Sequence, residues 1–324
     1  MLLSSERIIT FLYHHDNMNS LVLASYNATI VARTKRMPAI GETIAAEEFR
    51  IEHGGKGSNQ AIALQRLGCK TSIIASVGKD AFGDLAVKKW KEEGLNTEHV
   101  KFSDKGTGMA VVFLFPDSSN AIVIARNANE EINSEMVDLA LERSSFEVFL
   151  TVFEVNPATA MYALRKAASK GKTVLNPAPA LRLSPEELDR ITAITPNESE
   201  FKVMSGYSPE DKVDLEALAE RYLNHVEIVA VTLGERGSFI ATKQKKKLVP
   251  AYSTKPVDVT GAGDAWNAAF AYMIGKGEDP FYAAEFANAA GAFLVSRVRE
   301  KKDLVENLPY EKEVYEMMNK NRRD

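Results

Sequence analysis

The segment DVTGAGD, residues 258–264, combines the two groups that phosphoryl transfer needs, an anion cradle and a carboxylate. The small residues Gly261, Ala262 and Gly263 allow a tight turn that presents backbone N–H groups. The next nine residues have the pattern of a helix, whose N-terminus attracts negative charge. Asp264, in the first turn, would then lie beside a bound phosphate and accept a proton from an attacking hydroxyl. Taken alone, the segment fits a helix-capping loop equally well.

A second glycine cluster, GGKGSNQA at residues 54–61, also leads into a helical pattern. Two glycine turns that each open a helix favour ligand binding over folding alone as their explanation. Neither turn is a Walker A loop, because Lys56 is followed by Gly57 rather than by Ser or Thr. Neither is a dinucleotide fingerprint, because no third small residue follows Gly263 at the required spacing.

Four further motifs occur between these two segments. They are GKDAFGD at residues 78–84, LNPAPA at 175–180, TPNESE at 195–200 and VTLGERGS at 231–238. With these motifs in this order, the chain resembles the ribokinase family of sugar kinases, also called PfkB-type carbohydrate kinases, nearly from end to end. The resemblance implies ATP-dependent phosphorylation of a primary hydroxyl of a small furanose sugar, with Mg²⁺ as the metal.

Other classes of function stay open beside this one. A nucleoside kinase or another PfkB-type sugar kinase shares the same motifs. A catalytically idle sugar sensor of the same fold is less favoured, because the carboxylate at Asp264 is intact. A nicotinamide-dependent oxidoreductase on a doubly wound sheet is less favoured, because the dinucleotide fingerprint is incomplete.

Short β-rich runs alternate with helical patterns along most of the chain, which predicts an α/β fold with a doubly wound, mainly parallel sheet flanked by helices. The predicted strands are 21–25, 71–77, 148–152, 173–175, 193–195 and 228–232. Strand-like runs without helices at 28–53 and 106–126 predict a small β-sheet lid inserted in a kinase domain of residues 21–324. Residues 1–20 are interpreted as an N-terminal extension. In the resembling family such a lid covers the sugar and supplies the dimer contact, so we expect a homodimer.

The resemblance assigns the catalytic and metal-binding roles. Asp264 is expected to be the base, and the backbone of Gly261, Ala262 and Gly263 to form the anion hole. Asn197 and Glu200 match the N-x-x-E motif of the family, in which the glutamate holds Mg²⁺ through water. The same two residues also fit a capping box at a helix start, and both roles are compatible.

The nucleotide is expected to contact a loop after the strand at 228–232. Thr232, Gly234 and Gly237 match the nucleotide loop of the family, with Asn197 and Gly263 on the phosphate side. Asn288 matches a position near the adenine. A tight turn between two strands explains the glycines of the loop without any ligand.

Most of the expected sugar-binding positions are also present. They are Asn27, Gly55, Lys56, Gly57, Asn59, Glu154 and Asp264. The chain departs from the pattern at Thr29, where ribokinases carry an aspartate that grips two sugar hydroxyls. A neutral hydroxyl cannot accept two hydrogen bonds as a carboxylate does. Ribose is therefore in doubt as the substrate, and a deoxypentose, another furanose or a nucleoside-like substrate each fits the loss of one acceptor.

Asp258 and Thr260 match one half of a monovalent-cation site in the resembling family, which would take K⁺. The other half departs from the family, because SRVREK at residues 296–301 replaces a loop of small residues. Arg299 is suggested, from its charge, to occupy the position of the cation. Activation by K⁺ is left open.

Composition excludes several other classes. The chain has 324 residues, 45% of them apolar and 26% charged, and a net charge of −4, which argues against nucleic acid or a membrane surface as partner. No apolar run reaches membrane-spanning length, and Met1 to Ser20 lacks the features of a signal peptide. The single cysteine, Cys69, excludes an internal disulfide and fits a small buried hydrophobic residue in a cytoplasmic protein.

Overall fold

The computed structural model describes residues 18–117, 119–297 and 303–320. The strands of this part of the chain are β1 (Asn19–Leu23), β2 (Asn27–Arg33), β3 (Glu48–Gly54), β4 (Lys70–Gly78), β5 (Val100–Ser103), β6 (Met109–Leu114), β7 (Asn120–Ala125), β8 (Val148–Val152), β9 (Lys172–Asn176), β10 (Ala193–Ile194), β11 (Ile228–Thr232), β12 (Ser238–Ala241) and β13 (Lys246–Val249). The helices are α1 (Lys56–Arg66), α2 (Ala81–Glu92), α3 (Ser134–Arg143), α4 (Pro157–Ala167), α5 (Glu198–Met204), α6 (Leu215–Tyr222), α7 (Ala262–Gly275), α8 (Pro280–Val295) and α9 (Glu311–Lys320). Predictions that fall on residues 1–17 and on Arg299 lie outside the described residues.

Nine strands form the main sheet in the order β13-β12-β11-β10-β9-β8-β1-β4-β5. The strands from β11 to β5 in this order are parallel, and the hairpin of β11, β12 and β13 continues the sheet antiparallel. The antiparallel strands β12 and β13 form a hairpin whose connection lies at residues 242–245. The predicted doubly wound, mainly parallel sheet is confirmed.

Both faces of the main sheet are covered by helices, because its strands are apolar on both sides. On β1, Val22 belongs to one core cluster, whereas Leu21 and Leu23 belong to the other. Helices α1, α2, α7, α8 and α9 pack on the first face, and α3 to α6 on the second. Strand β1 begins at Asn19, and the buried side chain of Met18 packs in the first core.

A smaller, separate sheet forms in the two regions predicted as a lid, with the order β3-β2-β6-β7. Ile30 of β2 pairs with Ile51 of β3 and with Val111 of β6, which in turn pairs with Val123 of β7. These four residues therefore form one apolar row across the sheet. Thr29 points to the opposite face, because successive side chains of a strand alternate.

The carboxyl ends of the parallel strands lie at one edge of the main sheet, where ligands bind in open α/β folds. The loops after these ends carry predicted site residues: Asn27 lies beyond β1, Glu154 beyond β8, Asn197 beyond β10 and Gly234 beyond β11. Among the described helices, none is long and apolar enough to cross a bilayer.

Candidate active site

Asp264 lies in the first turn of α7, which begins after Gly261 in the left-handed conformation (φ 76°). Its side chain is only 6% exposed, yet both carboxylate oxygens are paired. Asn59 Nδ2 donates to Oδ2 at 2.9 Å, and Gln60 Nε2 donates to Oδ1 at 3.0 Å. The structure thus brings together two residues that the sequence placed in separate motifs, Asn59 and Asp264.

Helix α1 starts at the second glycine motif, directly beside the loop after β1. Gly55 precedes the helix with φ 93°, and a Cβ at this residue would lie 2.8 Å from the carbonyl oxygen of Ser25. The backbone N–H of Lys56 donates to Glu154 Oε2 at 2.7 Å. Ser25 Oγ donates to the same oxygen at 2.6 Å. Glu154 is therefore bound to the start of α1 as well as to the loop after β1.

The ammonium of Lys56 lies within electrostatic reach of three carboxylates. The negative charge of Asp264 raises the pKa of Lys56, with smaller effects of the same sign from Glu154 and Glu200. Burial raises the pKa of Glu154, and the charge of Lys56 opposes this effect. Lys56 therefore remains a cation in a site that otherwise carries negative charge.

Asn27 is held by a residue that sequence reasoning missed. Asn129 Nδ2 donates to Oδ1 of Asn27 at 3.1 Å and to the backbone oxygen of Tyr26 at 2.9 Å. Asn129 is completely buried in a 3₁₀ turn, Asn127–Glu131. Since Oδ1 of Asn27 is the acceptor in this bond, its Nδ2 group is left as a donor for a ligand.

Thr29 lies beside the glycine motif. Its Oγ1 donates to the backbone oxygen of Asn27 at 3.3 Å. A Cβ at Gly54 would lie 2.3 Å from this Oγ1, so the hydroxyl covers the backbone of Gly54. The residue that departs from the ribokinase pattern is thus in contact with the strand end that leads to Gly55.

Asn197 and Glu200 form the predicted capping box at the start of α5. Glu200 N donates to Asn197 Oδ1 at 2.7 Å, and Asn197 N donates to Glu200 Oε2 at 2.8 Å. Burial raises the pKa of Glu200. Glu200 Oε1 has no hydrogen-bond partner among the described residues, and a carboxylate oxygen is a ligand suited to hydrated Mg²⁺. The capping interpretation is confirmed, and it uses only one of the two carboxylate oxygens of Glu200.

The predicted nucleotide loop adjoins this helix start. Thr232 N donates to the backbone oxygen of Pro196 at 3.0 Å, which places Thr232 next to Asn197. Gly234 begins a short 3₁₀ turn, and Leu233 N donates to the oxygen of Gly237 at 2.8 Å. The tight turn between β11 and β12 is therefore confirmed.

Asn288 is buried in α8 with its amide fully paired. Its Oδ1 accepts from Trp266 Nε1 at 2.8 Å and from Ser238 Oγ at 3.1 Å. Its Nδ2 donates to the backbone oxygens of Val249 and Pro250 at 3.0 and 3.1 Å. An amide has two donors and two acceptor positions, so this side chain shapes the end of β13 and leaves no polar atom for an adenine.

Asp258 and Thr260 form a local turn, in which Thr260 N donates to Asp258 Oδ1 at 2.8 Å. The preceding residue, Val257, donates through its N–H to the backbone oxygen of Val295 at 2.7 Å. The predicted half-site for a monovalent cation therefore lies at the C-terminal end of α8, next to the segment that begins at Ser296.

The arrangement as a whole is that of a kinase for a small substrate. A carboxylate lies at the N-terminus of a helix, beside an ammonium and near a second carboxylate that can hold a metal, at the ligand-binding edge of a doubly wound sheet. The carboxylate can accept a proton, and the helix start can bind an anion.

Comparison with known proteins agrees with this class. Residues 18–304 match the pfkB family carbohydrate kinase profile. A ribokinase of Haemophilus influenzae is 33% identical over 302 residues, which cover 92% of this chain and 97% of that protein. A deoxyribokinase of Salmonella typhi is 34% identical over 292 residues, or 86% of this chain and 93% of that protein.

A solved structure shows the same fold. The Arabidopsis thaliana ribokinase complexed with ribose and ATP superposes with a TM-score of 0.83 and 26% identity, covering 93% of this chain and 98% of that one. The chain belongs to the pfkB family of carbohydrate kinases.

Proposed function

We propose that the protein transfers the γ-phosphoryl group of ATP to the primary hydroxyl of a pentofuranose. The observation that carries the proposal is the buried carboxylate of Asp264, held on both oxygens at the start of α7. The relatives support the choice of reactants, because they include ribokinases and a structure with ribose and ATP.

In this proposal the sugar hydroxyl loses its proton to Asp264 as it attacks the γ-phosphorus. The N–H of Ala262 is already bound to the oxygen of Val259 at 3.2 Å, so the N–H groups of Gly263 and Asp264 are the better donors to the phosphoryl oxygens. A Cβ at Gly263 would meet no described atom within 4 Å, which leaves room for the phosphoryl group before the helix. The positive end of α7 stabilises the charge that develops there.

The sugar hydroxyls would bind the polar groups between β1 and α1. Asn59 Oδ1 is buried without a hydrogen-bond partner among the described residues, which fits an acceptor for a sugar hydroxyl. Asn27 contributes the Nδ2 donor that Asn129 orients, and Glu154 and the Lys56 ammonium complete the set. Gly55 and Gly57 allow the backbone to approach the sugar closely.

Mg²⁺ would bind through water to the free oxygen of Glu200 and supply a positive charge next to the nucleotide phosphates. The adjoining nucleotide edge is formed by Thr232, Gly234, Gly237 and Asn197.

Asp258 and Thr260 are proposed as half of a K⁺ site, which a comparison of rates in K⁺ and in a large organic cation would test.

A cytoplasmic location is proposed as well, since the one cysteine, Cys69, forms no disulfide and is buried, and burial raises the pKa of its thiol to about 12.

A 2-deoxypentose is the second candidate substrate, and Thr29 is the observation that favours it. The Thr29 hydroxyl donates to the backbone of its own strand, so it offers less to a sugar than a carboxylate would. A sugar that lacks one hydroxyl leaves no polar group unpaired at this position. A deoxyribokinase among the relatives supports this candidate.

A homodimer through the smaller sheet is proposed from the apolar face of that sheet. Phe49, Ile51 and Val123 are 62%, 51% and 63% exposed on this face, in line with Ile30 and Val111. An exposed apolar area that spans four strands is typical of an interaction surface. A second copy of the chain presents the same face, as a twofold dimer requires.

A panel of pentoses, deoxypentoses, hexoses and nucleosides, each assayed for ADP release with ATP and Mg²⁺, tests the proposed activity. We expect the highest kcat/KM with ribose or 2-deoxyribose. A nucleoside as the best substrate would overturn the free-sugar assignment, and ATP binding without ADP release for any sugar would support a sensor.

A further inference from the structure

Gln60, the neighbour of Asn59, has no role in the reaction as proposed above. Its side chain is completely buried in the first turns of α1. Its Nε2 donates two hydrogen bonds, both of 3.0 Å, to Oδ1 of Asp264 and to Oδ1 of Asn176 at the end of β9. One amide group thus joins the carboxylate to the main sheet.

The hydrogen bonds continue from Asn176 in a closed ring. Asn176 Nδ2 donates to the backbone oxygen of Thr195 at 3.1 Å. Thr195 Oγ1 donates to Asn267 Oδ1, and Asn267 Nδ2 donates to the backbone oxygen of Gly263 at 2.8 Å. Since Gly263 directly precedes Asp264, the ring returns to the residue from which it started.

The ring permits only one orientation of the Gln60 amide. The Nδ2 group of Asn176 must face the carbonyl of Thr195, so its Oδ1 faces Gln60. A reversed Gln60 amide would place Oε1 against two acceptors, one of them on Asp264. In the observed orientation, Oε1 is buried without a hydrogen-bond partner among the described residues, which is unfavourable. The orientation of the Gln60 amide is therefore fixed by the two acceptors of Nε2, Oδ1 of Asp264 and Oδ1 of Asn176.

We propose that Gln60 is a positioning residue for phosphoryl transfer, which fixes the direction of the Asp264 carboxylate. Asn176, Thr195 and Asn267 fix Gln60 in turn. The proposal rests on the role of Asp264 as the base. A base must be held close to one hydroxyl of the sugar in a productive direction, and small displacements of such a group lower the rate strongly.

The ring also couples the base to the other catalytic elements. Gly263 belongs to the proposed anion hole, and Thr195 lies two residues before Asn197, where the capping box with Glu200 begins. Asn59 holds the other oxygen of Asp264 from the adjacent position in α1. Two neighbouring amides of one helix thus hold both oxygens of the carboxylate.

Gln60→Met tests the proposal, because methionine has a similar shape but no donor. We expect kcat to fall about 10-fold to 100-fold, as for the loss of one hydrogen bond to a charged group. KM for ATP should stay unchanged, since Gln60 touches no proposed nucleotide residue.

Gln65→Met is the matched control in the same helix. Gln65 Oε1 accepts from the backbone N–H of Thr71 at 2.9 Å, far from Asp264. Its loss should lower the free energy of unfolding without lowering kcat. Gln60→Asn provides a second variant, which keeps an amide but is one methylene too short to reach both acceptors, and the same fall in kcat is expected.

The outcomes separate this proposal from the proposed function. A wild-type kcat in folded Gln60→Met and Gln60→Asn, beside an inactive Asp264→Asn, would overturn the positioning role alone. Full activity in Asp264→Asn would overturn the base assignment and this proposal with it. A lower kcat with an unchanged KM for ATP in both Gln60 variants, and a wild-type kcat in Gln65→Met, would support the positioning role.

Discussion

Nδ2 of Asn59 lies 2.9 Å from Oδ2 of Asp264, and this hydrogen bond joins the starts of α1 and α7 across 205 residues of sequence. The N-termini of two helices thereby meet at one carboxylate. Both helix starts carry glycines at positive φ, Gly55 at 93° and Gly261 at 76°, so the chain turns sharply at each of them. The proposed base, the proposed anion-binding turn and the proposed sugar-binding turn are therefore held as one unit.

Asp264→Asn is expected to abolish turnover while nucleotide binding survives. The amide cannot accept the proton of the sugar hydroxyl, and its NH₂ group would face a donor of Asn59 or Gln60. The loss of a general base lowers the rate by about 10²-fold to 10⁴-fold. Single-turnover assays and a nucleotide titration measure the two effects separately. A rate above about one tenth of wild type would remove Asp264 from the role of the base.

The residues of this unit differ in how well the sequence predicts them. Asp264 follows from a local motif, because a carboxylate after a glycine turn at a helix start is recognisable within a few positions, whereas Asn59 was assigned by the family resemblance. The contacts of Asn129 and Gln60 with the proposed site residues were missed. Asn129 contacts Asn27, which is 102 residues away in the sequence. A contact of this kind depends on the packing of the sheets rather than on a local sequence pattern.

The fold was predicted well where both faces of a strand are buried, since continuous apolar runs mark such strands. Strand β8 has the predicted bounds, whereas β10 has only two residues because the chain turns at Thr195 into the ring of hydrogen bonds. The hydrogen bonds of Asn288, by contrast, could not be predicted from the sequence. Its position matched a family motif, but its amide is saturated by Trp266, Ser238 and two backbone oxygens, which no sequence pattern reveals.

Glu200→Gln is expected to raise the Mg²⁺ concentration needed for half-maximal rate, with little change in KM for the sugar. Glutamine keeps an oxygen for the bond from Asn197 N, so the capping box survives while the negative charge is lost. Mg²⁺ titrations of the initial rate measure the effect.

Glu187→Gln is the control for this prediction. Glu187 Oε2 accepts from Ser184 N at 2.7 Å in a second capping box, at the 3₁₀ turn Pro185–Leu188. Equal Mg²⁺ requirements in the two variants, with losses only in thermal stability, would show that Glu200 has a structural role alone.

Asp303 should make stability depend on pH. It accepts from the backbone N–H of His53 at 2.6 Å, and burial raises its pKa from 3.8 to about 6, with Glu52 acting in the same direction and Lys89 against it. A raised pKa means that the folded state binds the extra proton. Its contribution to stability is therefore present below about pH 4 and is lost as the pH rises through 6. Between these two limits the contribution of Asp303 to the free energy of unfolding changes by about 3 kcal/mol.

Asp303→Asn should remove this dependence, because the amide does not titrate. Urea unfolding at pH 4.5 and pH 7.5 compares the variant with wild type, and the wild-type protein should lose more of its free energy of unfolding between the two. Asp84→Asn, at an exposed position of α2, is the control and should follow wild type. If Asp303→Asn loses as much free energy of unfolding between pH 4.5 and pH 7.5 as wild type does, Asp303 is not the titrating group.

Ile51→Glu is expected to convert the proposed dimer into a monomer. The substitution places a charge at the β3 end of the apolar row of the smaller sheet, where the partner copy would leave it desolvated. Sedimentation velocity measures the change. Leu248→Glu, on the exposed hairpin strand β13, should remain a dimer. A wild-type protein that sediments as a monomer over the whole concentration range would contradict the assignment of this face.

Thr29→Asp is expected to change the preference between ribose and 2-deoxyribose. The carboxylate would cover Gly54 as the threonine hydroxyl does and would accept a hydrogen bond from the extra hydroxyl of ribose. A charge-assisted hydrogen bond of this kind contributes about 1.5 to 3 kcal/mol, so the ratio of kcat/KM for ribose over 2-deoxyribose should rise about 10-fold or more. With 2-deoxyribose, the same carboxylate is left desolvated without a partner, which lowers kcat/KM for that sugar.

Thr29→Val is the matched control for this substitution, because it keeps the shape of threonine and removes only the hydroxyl. If the Thr29 hydroxyl bonds mainly to its own strand, as the 3.3 Å contact with the oxygen of Asn27 indicates, the valine variant should keep the wild-type ratio. Both ratios are measured under identical ATP and Mg²⁺ concentrations. Equal changes of kcat/KM for the two sugars in Thr29→Asp would show that this position does not discriminate between them. The discriminating contacts would then have to come from Asn27, Lys56, Asn59 or Glu154, the remaining polar side chains around the proposed sugar site.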